Sequence, residues 1–335
     1  MPEYSKRLGH IHPEQFQAAF TRLQLGQFIE AEPVPFGMFG QNVFLTSTQG
    51  KFVLRGAPHY PWQFPTEQFF VDQLHTRTHA PVPFPYLFEP STDIFGWSFV
   101  IMPRMPGLQL HHKLAAARLA YKDRFEIAQA LARMLVEVHK LGSETEGKFD
   151  PDTGAIKPFE KTYLEWVVEN IHDKVSDSQG YNDHTTQSDL VWIESVLTGC
   201  QPFSTPTCFP CAVLGDYGEH NVSVLRNGSE WQISGVFDLM TAHFGDGQAD
   251  LAVQVRNYLK SDERLAHAFV DEYLRLRGRP AGFVEQQKLH MLDRMLSFWR
   301  HWQKNQGYIP GEPPGLSFEQ YARSSVEFWD RYSRI

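Results

Sequence analysis

The stretch Leu214-Gly215-Asp216-Tyr217-Gly218-Glu219-His220-Asn221 sets a carboxylate and a carboxamide in an Asp-x4-Asn pattern, and a second carboxylate, Asp238, follows 17 positions after the amide. An apolar run, Cys211 to Leu214, leads in, and Val222 to Leu225 leads out. Asn227-Gly228 is a strong hairpin signal, with Ile233, Val236 and Phe237 on the returning strand. A hairpin folded there brings Asn221 and Asp238 to the same open end, with Asp216 on the loop at that end. One amide and one carboxylate suit Mg²⁺, whose other positions go to water and phosphate. A further carboxylate nearby can accept or orient a hydroxyl proton, which is the arrangement of phosphoryl transfer. The competing reading of these residues is a tight strand–loop–strand whose Asp and Asn cap turns. Spacing alone is weak: Asp177 and Asn182 repeat it in a polar stretch without flanking strands, which reads as a solvated loop.

The elements that must position these groups can be read on both sides. His12-Pro13-Glu14 opens a short helix with Phe16, Ala19, Phe20 and Leu23 on one face. Val43 to Thr46 and Phe52 to Arg55 read as strands around a Thr48-Gln49-Gly50 turn, and a helix starts at Pro65-Thr66-Glu67. Phe99 to Met102 is a short apolar strand that stops at Pro103. Helical periodicity then dominates: Phe125 to Leu141, Tyr163 to Ile171, Leu190 to Leu197, Leu265 to Leu276 and Phe283 to Gln303. Gly142 to Lys157 reads as a polar loop. The N-terminal third is therefore mostly strands and the rest mostly helices around one hairpin, an α+β chain that changes character near Pro103–Gly107.

Length and composition bound the function. A chain of 335 residues allows about two domains or one two-lobed unit, and with 42% apolar and 21% charged residues it can build its own core. The net charge of −8 disfavours nucleic acid as the main partner and mildly favours a cationic small molecule. No apolar run approaches a membrane span, the N-terminus shows no signal-peptide pattern, and three Cys make no disulfide framework; the expectation is a soluble cytoplasmic protein. Cys208-Phe209-Pro210-Cys211 is read as buried inert thiols rather than half a zinc site, and His111-His112 as surface.

Taken together, the motifs resemble the aminoglycoside phosphotransferase family, also called the phosphotransferase enzyme family. The family pattern runs His-Gly-Asp-x4-Asn, a hairpin, an apolar-Asp-aromatic triplet, then Gly-Asp-x3-Asp-Leu-Ala. Here stand Gly215-Asp216, Asn221, Phe237-Asp238-Leu239 and Gly245-Asp246-Gly247-Gln248-Ala249-Asp250-Leu251-Ala252. Leu131 to His139 is similar to the family's helix ending in Leu-His, and the likeness spans residues 15–300. The Val53-Leu54-Arg55 strand and the aromatic Tyr217 resemble the hygromycin phosphotransferases within the family.

The resemblance implies a two-lobed protein-kinase-like fold, with residues 1–103 a nucleotide-binding N-lobe and 104–335 a C-lobe. It implies γ-phosphoryl transfer from ATP to a hydroxyl of a small molecule, with Asp216 as base and Asn221 and Asp238 on Mg²⁺. Gly37 and Gly40 match the loop over the nucleotide phosphates. Arg55 stands where the family carries a phosphate-binding lysine, with Glu67 as its acidic partner. Pro103 and Met105 match the hinge positions that contact the base of the nucleotide. Leu214 replaces the usual histidine, so the catalytic loop needs another brace. Asp246 and Asp250 are expected to be structural, Asp250 by accepting backbone N–H groups. The acceptor is expected to be an aminoglycoside-like cation near Glu144, Glu146, Asp150 and Asp152. The rival acceptors are an amino alcohol or sugar, and the rival class is a nucleotide-binding protein without catalysis, motivated by Arg55 and Leu214.

Overall fold

The computed structural model describes residues 3–34, 40–110, 119–180, 185–200 and 210–333. In chain order the strands and α-helices are β1 (Glu3–Ser5), β2 (Gly9–His10), α1 (Pro13–Arg22), β3 (Phe28–Pro33), β4 (Asn42–Ser47), β5 (Gly50–Gly56), α2 (Gln63–Arg77), β6 (Leu87–Glu89), β7 (Phe99–Pro103), β8 (Leu108–Gln109), α3 (Tyr121–Val138), β9 (Gly147–Asp150), β10 (Ala155–Pro158), α4 (Tyr163–Gln179), α5 (Gln187–Cys200), β11 (Cys211–Val213), β12 (Val222–Asn227), β13 (Glu230–Val236), β14 (His243–Gly245), α6 (Leu251–Leu259), α7 (Glu263–Arg277), α8 (Phe283–Gln306) and α9 (Phe318–Tyr332). They form two compact units: Met1–Ala130 with Phe149–Ile156 and Glu219–Ala242, and Leu131–Lys148 with Lys157–Gly218 and His243–Ile335.

The first unit is built on an antiparallel five-stranded sheet in the order β3-β4-β5-β7-β6. β4 alternates buried and half-buried residues, as a strand with one covered face must. Its inward Val43 and Leu45 meet Leu54, Phe99 and Ile101 from the neighbouring strands and Phe16, Ala19 and Phe20 from α1. Each such fully buried Val, Leu, Ile or Phe side chain contributes about 1.5–3 kcal/mol. α2 turns Phe64, Glu67, Phe70, Val71 and Leu74 inward, a helical stripe with one carboxylate in it. The same unit contains the three-stranded sheet β13-β12-β8. Gly107, at φ +110°, lies so close to Val224 O that a Cβ there would sit 2.5 Å from it, and Ser234 Oγ donates to Pro106 O at 2.6 Å. Residues 105–109 are thereby tied to the hairpin.

The second unit is mainly helical. α8 is its central helix, burying Leu289, Met291, Leu292, Met295, Leu296 and Trp299. β11 pairs with β14 through Cys211↔Gly245, Ala212↔Phe244 and Val213↔His243.

Several elements depart from the sequence reading. α2 begins at Gln63, so Pro65 is its third residue, still inside the first turn where a missing N–H costs nothing. Asn227 pairs with Glu230, which makes Gly228-Ser229 the turn. The stretch read as a polar loop contains β9 and β10, and α9 escaped the periodicity reading. Asp177 lies in the last turn of α4, paired to Arg300 at 3.0 Å, rather than in a loop.

Candidate active site

In the first unit, β12 and β13 pair through Val222↔Val236, and Phe237 N donates to Asn221 O at 2.9 Å. The hairpin register therefore sets Asn221 and Asp238 at one end of the ladder, as the spacing predicts. Asp238 has φ +61°, a left-handed conformation that Asp tolerates better than most residues and that turns the chain out of the strand.

Arg55, at the end of β5, reaches the same place. Nη1 donates to Glu67 Oε2 at 2.9 Å and Nη2 to Asp238 Oδ1 at 3.1 Å. Tyr86 Oη donates to the same Glu67 oxygen at 2.6 Å. Arg55 and Glu67 are buried, so each charge depends on the other for compensation. Burial works against the Arg55 cation, and Glu67 and Asp238 more than reverse it, holding its pKa well above the usual arginine range. Burial pushes the Glu67 carboxyl up to about 7 against the pull of Arg55. The guanidinium is thus firmly charged, and the carboxylate bears the cost of desolvation.

These residues fit a phosphate-bound magnesium ion. Asp238 spends one oxygen on Arg55, and among the described residues its Oδ2 has no partner. Arg55 Nε is buried and has no acceptor among the described residues, an unspent donor of the kind phosphate uses. Among the described residues, no set of three or more His, Cys, Asp or Glu is placed to hold a metal ion by itself.

Gly40 has φ +59° and is held by Ser5, whose Oγ donates to Gly40 O at 2.5 Å; Gly37 lies outside the described residues. Pro103 closes β7 opposite Phe52. The next residue, Arg104, donates its N–H to Lys51 O at 3.0 Å and stacks its guanidinium 3.6 Å from the Phe44 ring centre. Met105 Cβ would touch any side chain added at Gly235.

In the second unit, Asp216 follows Gly215, which takes φ +78°. The buried Asp250 accepts the N–H groups of Leu214 at 2.8 Å and Gly215 at 2.7 Å. This is the brace that Leu214, an apolar side chain, cannot provide. Behind it His139 Nε2 lies 3.4 Å from Asp250 and His139 Nδ1 3.1 Å from Tyr273 Oη. Tyr217 is buried and donates to Leu131 O at 2.8 Å, fixing the residue after Asp216. Asp246 accepts from Gln248 N at 3.0 Å, a structural cap as expected.

Arg294 of α8 lies 3.6 Å from Asp216 Oδ1. Sequence reading missed Arg294, Tyr86 and Tyr273. Nothing in their spacing marks them, because each meets its partner across the fold.

The four expected acceptor carboxylates divide between the units. Asp150 and Asp152 fall in the first, where Asp150 Oδ1 accepts Asp152 N in a local turn. Glu144 and Glu146 fall in the second, and Glu146 accepts Tyr163 N at 2.8 Å at the start of α4. Cys200 and Cys211 are buried, and burial pushes their thiols up to about 11 and about 12; Cys208 and His111-His112 lie outside the described residues.

The sequence profile of the phosphotransferase enzyme family matches residues 30–283. Among solved structures, the chain is similar to a candidate aminoglycoside phosphotransferase of Ralstonia eutropha JMP134, with TM-score 0.66 and 15% identity over 97% of this chain and 99% of that one. It is similar to a thermostable mutant of aminoglycoside phosphotransferase APH(4)-Ia in ternary complex with ADP and hygromycin B, with TM-score 0.62 and 17% identity over 94% and 97%. It is also similar to a candidate fructosamine-3-kinase of Haemophilus somnus 129PT, with TM-score 0.61 and 14% identity over 94% and 97%. No curated protein matches the chain. At these identities the structural likeness speaks for the kinase-like α+β fold.

Proposed function

The chain belongs to the phosphotransferase enzyme family and is by that membership a small-molecule kinase; we propose that it transfers the γ-phosphoryl group of ATP to a hydroxyl of an amine-bearing, aminoglycoside-like acceptor in the cytoplasm. The observation that carries the reading is the Glu67–Arg55–Asp238 bridge beside Asn221. It aims a permanently charged guanidinium and a carboxylate with an unspent oxygen at one end of the hairpin.

In this reading residues 1–103 supply the nucleotide lobe, with Gly37 and Gly40 at the phosphates and Pro103 and Met105 at the base. Residues 104–335 supply the catalytic loop and the acceptor pocket. Asp216 takes the proton from the acceptor hydroxyl as its oxygen attacks the γ-phosphorus; the bond to the bridging oxygen breaks and ADP leaves. Asn221 and Asp238 hold Mg²⁺, which when bound neutralises phosphate charge. Arg55, braced by Glu67, binds phosphate oxygens. Retention of the base and both metal ligands argues against a non-catalytic nucleotide binder.

A second reading keeps this chemistry and changes the acceptor to a small amino alcohol or sugar. The likeness to a candidate fructosamine-3-kinase favours it as an alternative.

The test is ATP consumption by the purified protein against aminoglycosides, amino sugars and polyols, with mass detection of a product heavier by one phosphoryl group. Asp216→Asn keeps the size of the side chain and removes the proton acceptor. Its turnover is expected to fall at least ~10²-fold with nucleotide affinity unchanged. Asp216→Asn turnover within a few-fold of wild type contradicts the assignment.

A further inference from the structure

The five-stranded sheet of the first unit has two unlike faces. Val43, Leu45, Leu54, Phe99 and Ile101 point into the core with α1. Side chains alternate along a strand, so Phe44, Val53 and Met102 stand on the opposite face. Pairing sets them in one row across β4, β5 and β7, through Phe44↔Val53 and Val53↔Met102. Arg55 belongs to this face too, one row away, paired with Asn42 and Val100. On the other side of the row stand Lys51 and Arg104, joined by the 3.0 Å hydrogen bond from Arg104 N to Lys51 O.

The Arg104 side chain lies across this face. β5 separates β7 from β4, a gap of roughly 10 Å at normal strand spacing, yet the Arg104 guanidinium centre is 3.6 Å from the Phe44 ring centre. The side chain therefore extends over β5, beside Val53. At so short a distance the planar group rests flat on the ring, in cation–π contact. One flat face of the guanidinium is covered by Phe44, and the side chain remains 38% exposed. Glu32 on β3 lies 3.8 Å away, beyond hydrogen-bond reach, and the guanidinium makes no hydrogen bond to any described residue.

We propose that Arg104 is a base-recognition residue: its guanidinium, laid on Phe44, forms a flat cationic shelf on which the purine of the nucleotide stacks. This rests on the assignment of Arg55 to the phosphates and of Pro103 and Met105, on either side of Arg104, to the base. Four residues of β5 separate Arg55 from Lys51, the neighbour of Arg104, a length of roughly 13 Å. The sugar has room between the phosphates and the shelf. A purine presents a larger π-face to a guanidinium than a pyrimidine does, so the shelf selects purine nucleotides.

The test is calorimetric titration of the full chain, with Mg²⁺ and without acceptor, with ATP, CTP and tripolyphosphate, which carries the phosphates and no base. ATP is expected to bind best. In Arg104→Ala its affinity should fall about tenfold, as for one lost stacking contact, while tripolyphosphate binds as before. Arg104→Lys keeps the charge and loses the plane, so it should lose nearly as much as Arg104→Ala. Phe44→Ala unseats the guanidinium and should lose part. Thermal unfolding checks that the variants fold; should Phe44→Ala fail to fold, the two Arg104 variants carry the comparison. Equal losses for ATP and tripolyphosphate in Arg104→Ala overturn the proposal, because the arginine would then serve the phosphates. Unchanged or tighter ATP binding in Arg104→Ala also overturns it, the tighter result meaning that the side chain fills the base site. CTP binding as well as ATP in the wild type ends the purine selection. The parent reading fails differently. A wild type that binds neither ATP nor tripolyphosphate removes the nucleotide lobe, and the shelf with it. ATP binding that depends on Arg104, with no phosphorylated product from any hydroxyl compound, leaves the shelf standing and removes only the phosphoryl transfer.

Discussion

Arg55 Nη2 donates to Asp238 Oδ1 at 3.1 Å, joining positions 183 residues apart, while Nη1 of the same guanidinium holds Glu67. An ammonium is a compact point charge, whereas the planar guanidinium fork offers separate nitrogens, one to each of the two carboxylates. The departure from lysine in this strand thus has a structural consequence: Arg55, proposed to bind phosphate, and Asp238, proposed to hold the metal, are held by one another before any ligand arrives.

Arg55→Ala is expected to lower kcat/KM for ATP about tenfold or more, a loss above ~1.4 kcal/mol. Arg55→Lys is expected to recover part of it, since lysine keeps the charge and loses one of the two carboxylates. Steady-state kinetics over a range of ATP concentrations checks both. An unaffected Arg55→Ala enzyme would remove the phosphate contact and favour the non-catalytic reading.

Asp238→Ala removes the carboxylate with the unspent oxygen. Nucleotide binding that depends on Mg²⁺ in the wild type should lose that dependence, and turnover should disappear. Calorimetry with and without Mg²⁺ measures this directly. Equal binding with and without the ion, in wild type and variant alike, would mean that no metal site exists.

Asp250→Ala strips the acceptor from the backbone N–H groups of Leu214 and Gly215, just before Asp216. Each buried donor left unsatisfied costs about 1–3 kcal/mol, so a fall of several degrees in Tm is expected together with loss of turnover. Asp250→Asn keeps one acceptor oxygen and should fall between. A variant with wild-type Tm and activity would show that the loop needs no such brace.

Cys211 stays protonated in the fold to about 12, against 9.0 for an ordinary thiol, because burial penalises the thiolate. Native protein should resist alkylation at Cys200 and Cys211 at pH 8 and become reactive on unfolding. The linkage has a sign: above pH 9 the unfolded thiol ionises and the folded one does not, so this group's contribution to stability falls as pH rises from about 9 to about 12. Peptide mapping after iodoacetamide treatment, with and without denaturant, checks the labelling. Rapid native labelling of Cys211 would contradict its burial.

What the sequence by itself determined is local or strictly periodic. Asn221 and Asp238 could be placed at one end of a hairpin from the turn signal at Asn227-Gly228, but the turn itself at Gly228-Ser229 and the register shift between Ser223 and Val224 that leads to Val222↔Val236 were not legible. The α1 face of Phe16, Ala19 and Phe20 follows from a helical repeat. Asp250 was legible as a structural carboxylate only through the family pattern. Short strands such as β9, β10 and β14 were not legible, since three or four residues carry too little alternation, and their pairing partners lie far along the chain.

Tertiary structure alone decided which charges meet. Glu67 was foreseen as the partner of Arg55, but nothing in the spacing assigns the other half of the guanidinium to Asp238, Tyr86 to Glu67, or Arg294 to Asp216. It also put Glu146 to work at the start of a helix, where the sequence suggested only an acidic loop. The physical reason is common to all of these. A side chain's hydrogen-bond partner is chosen by packing between elements, and the energy that selects it comes from burial, which no local pattern of residues encodes.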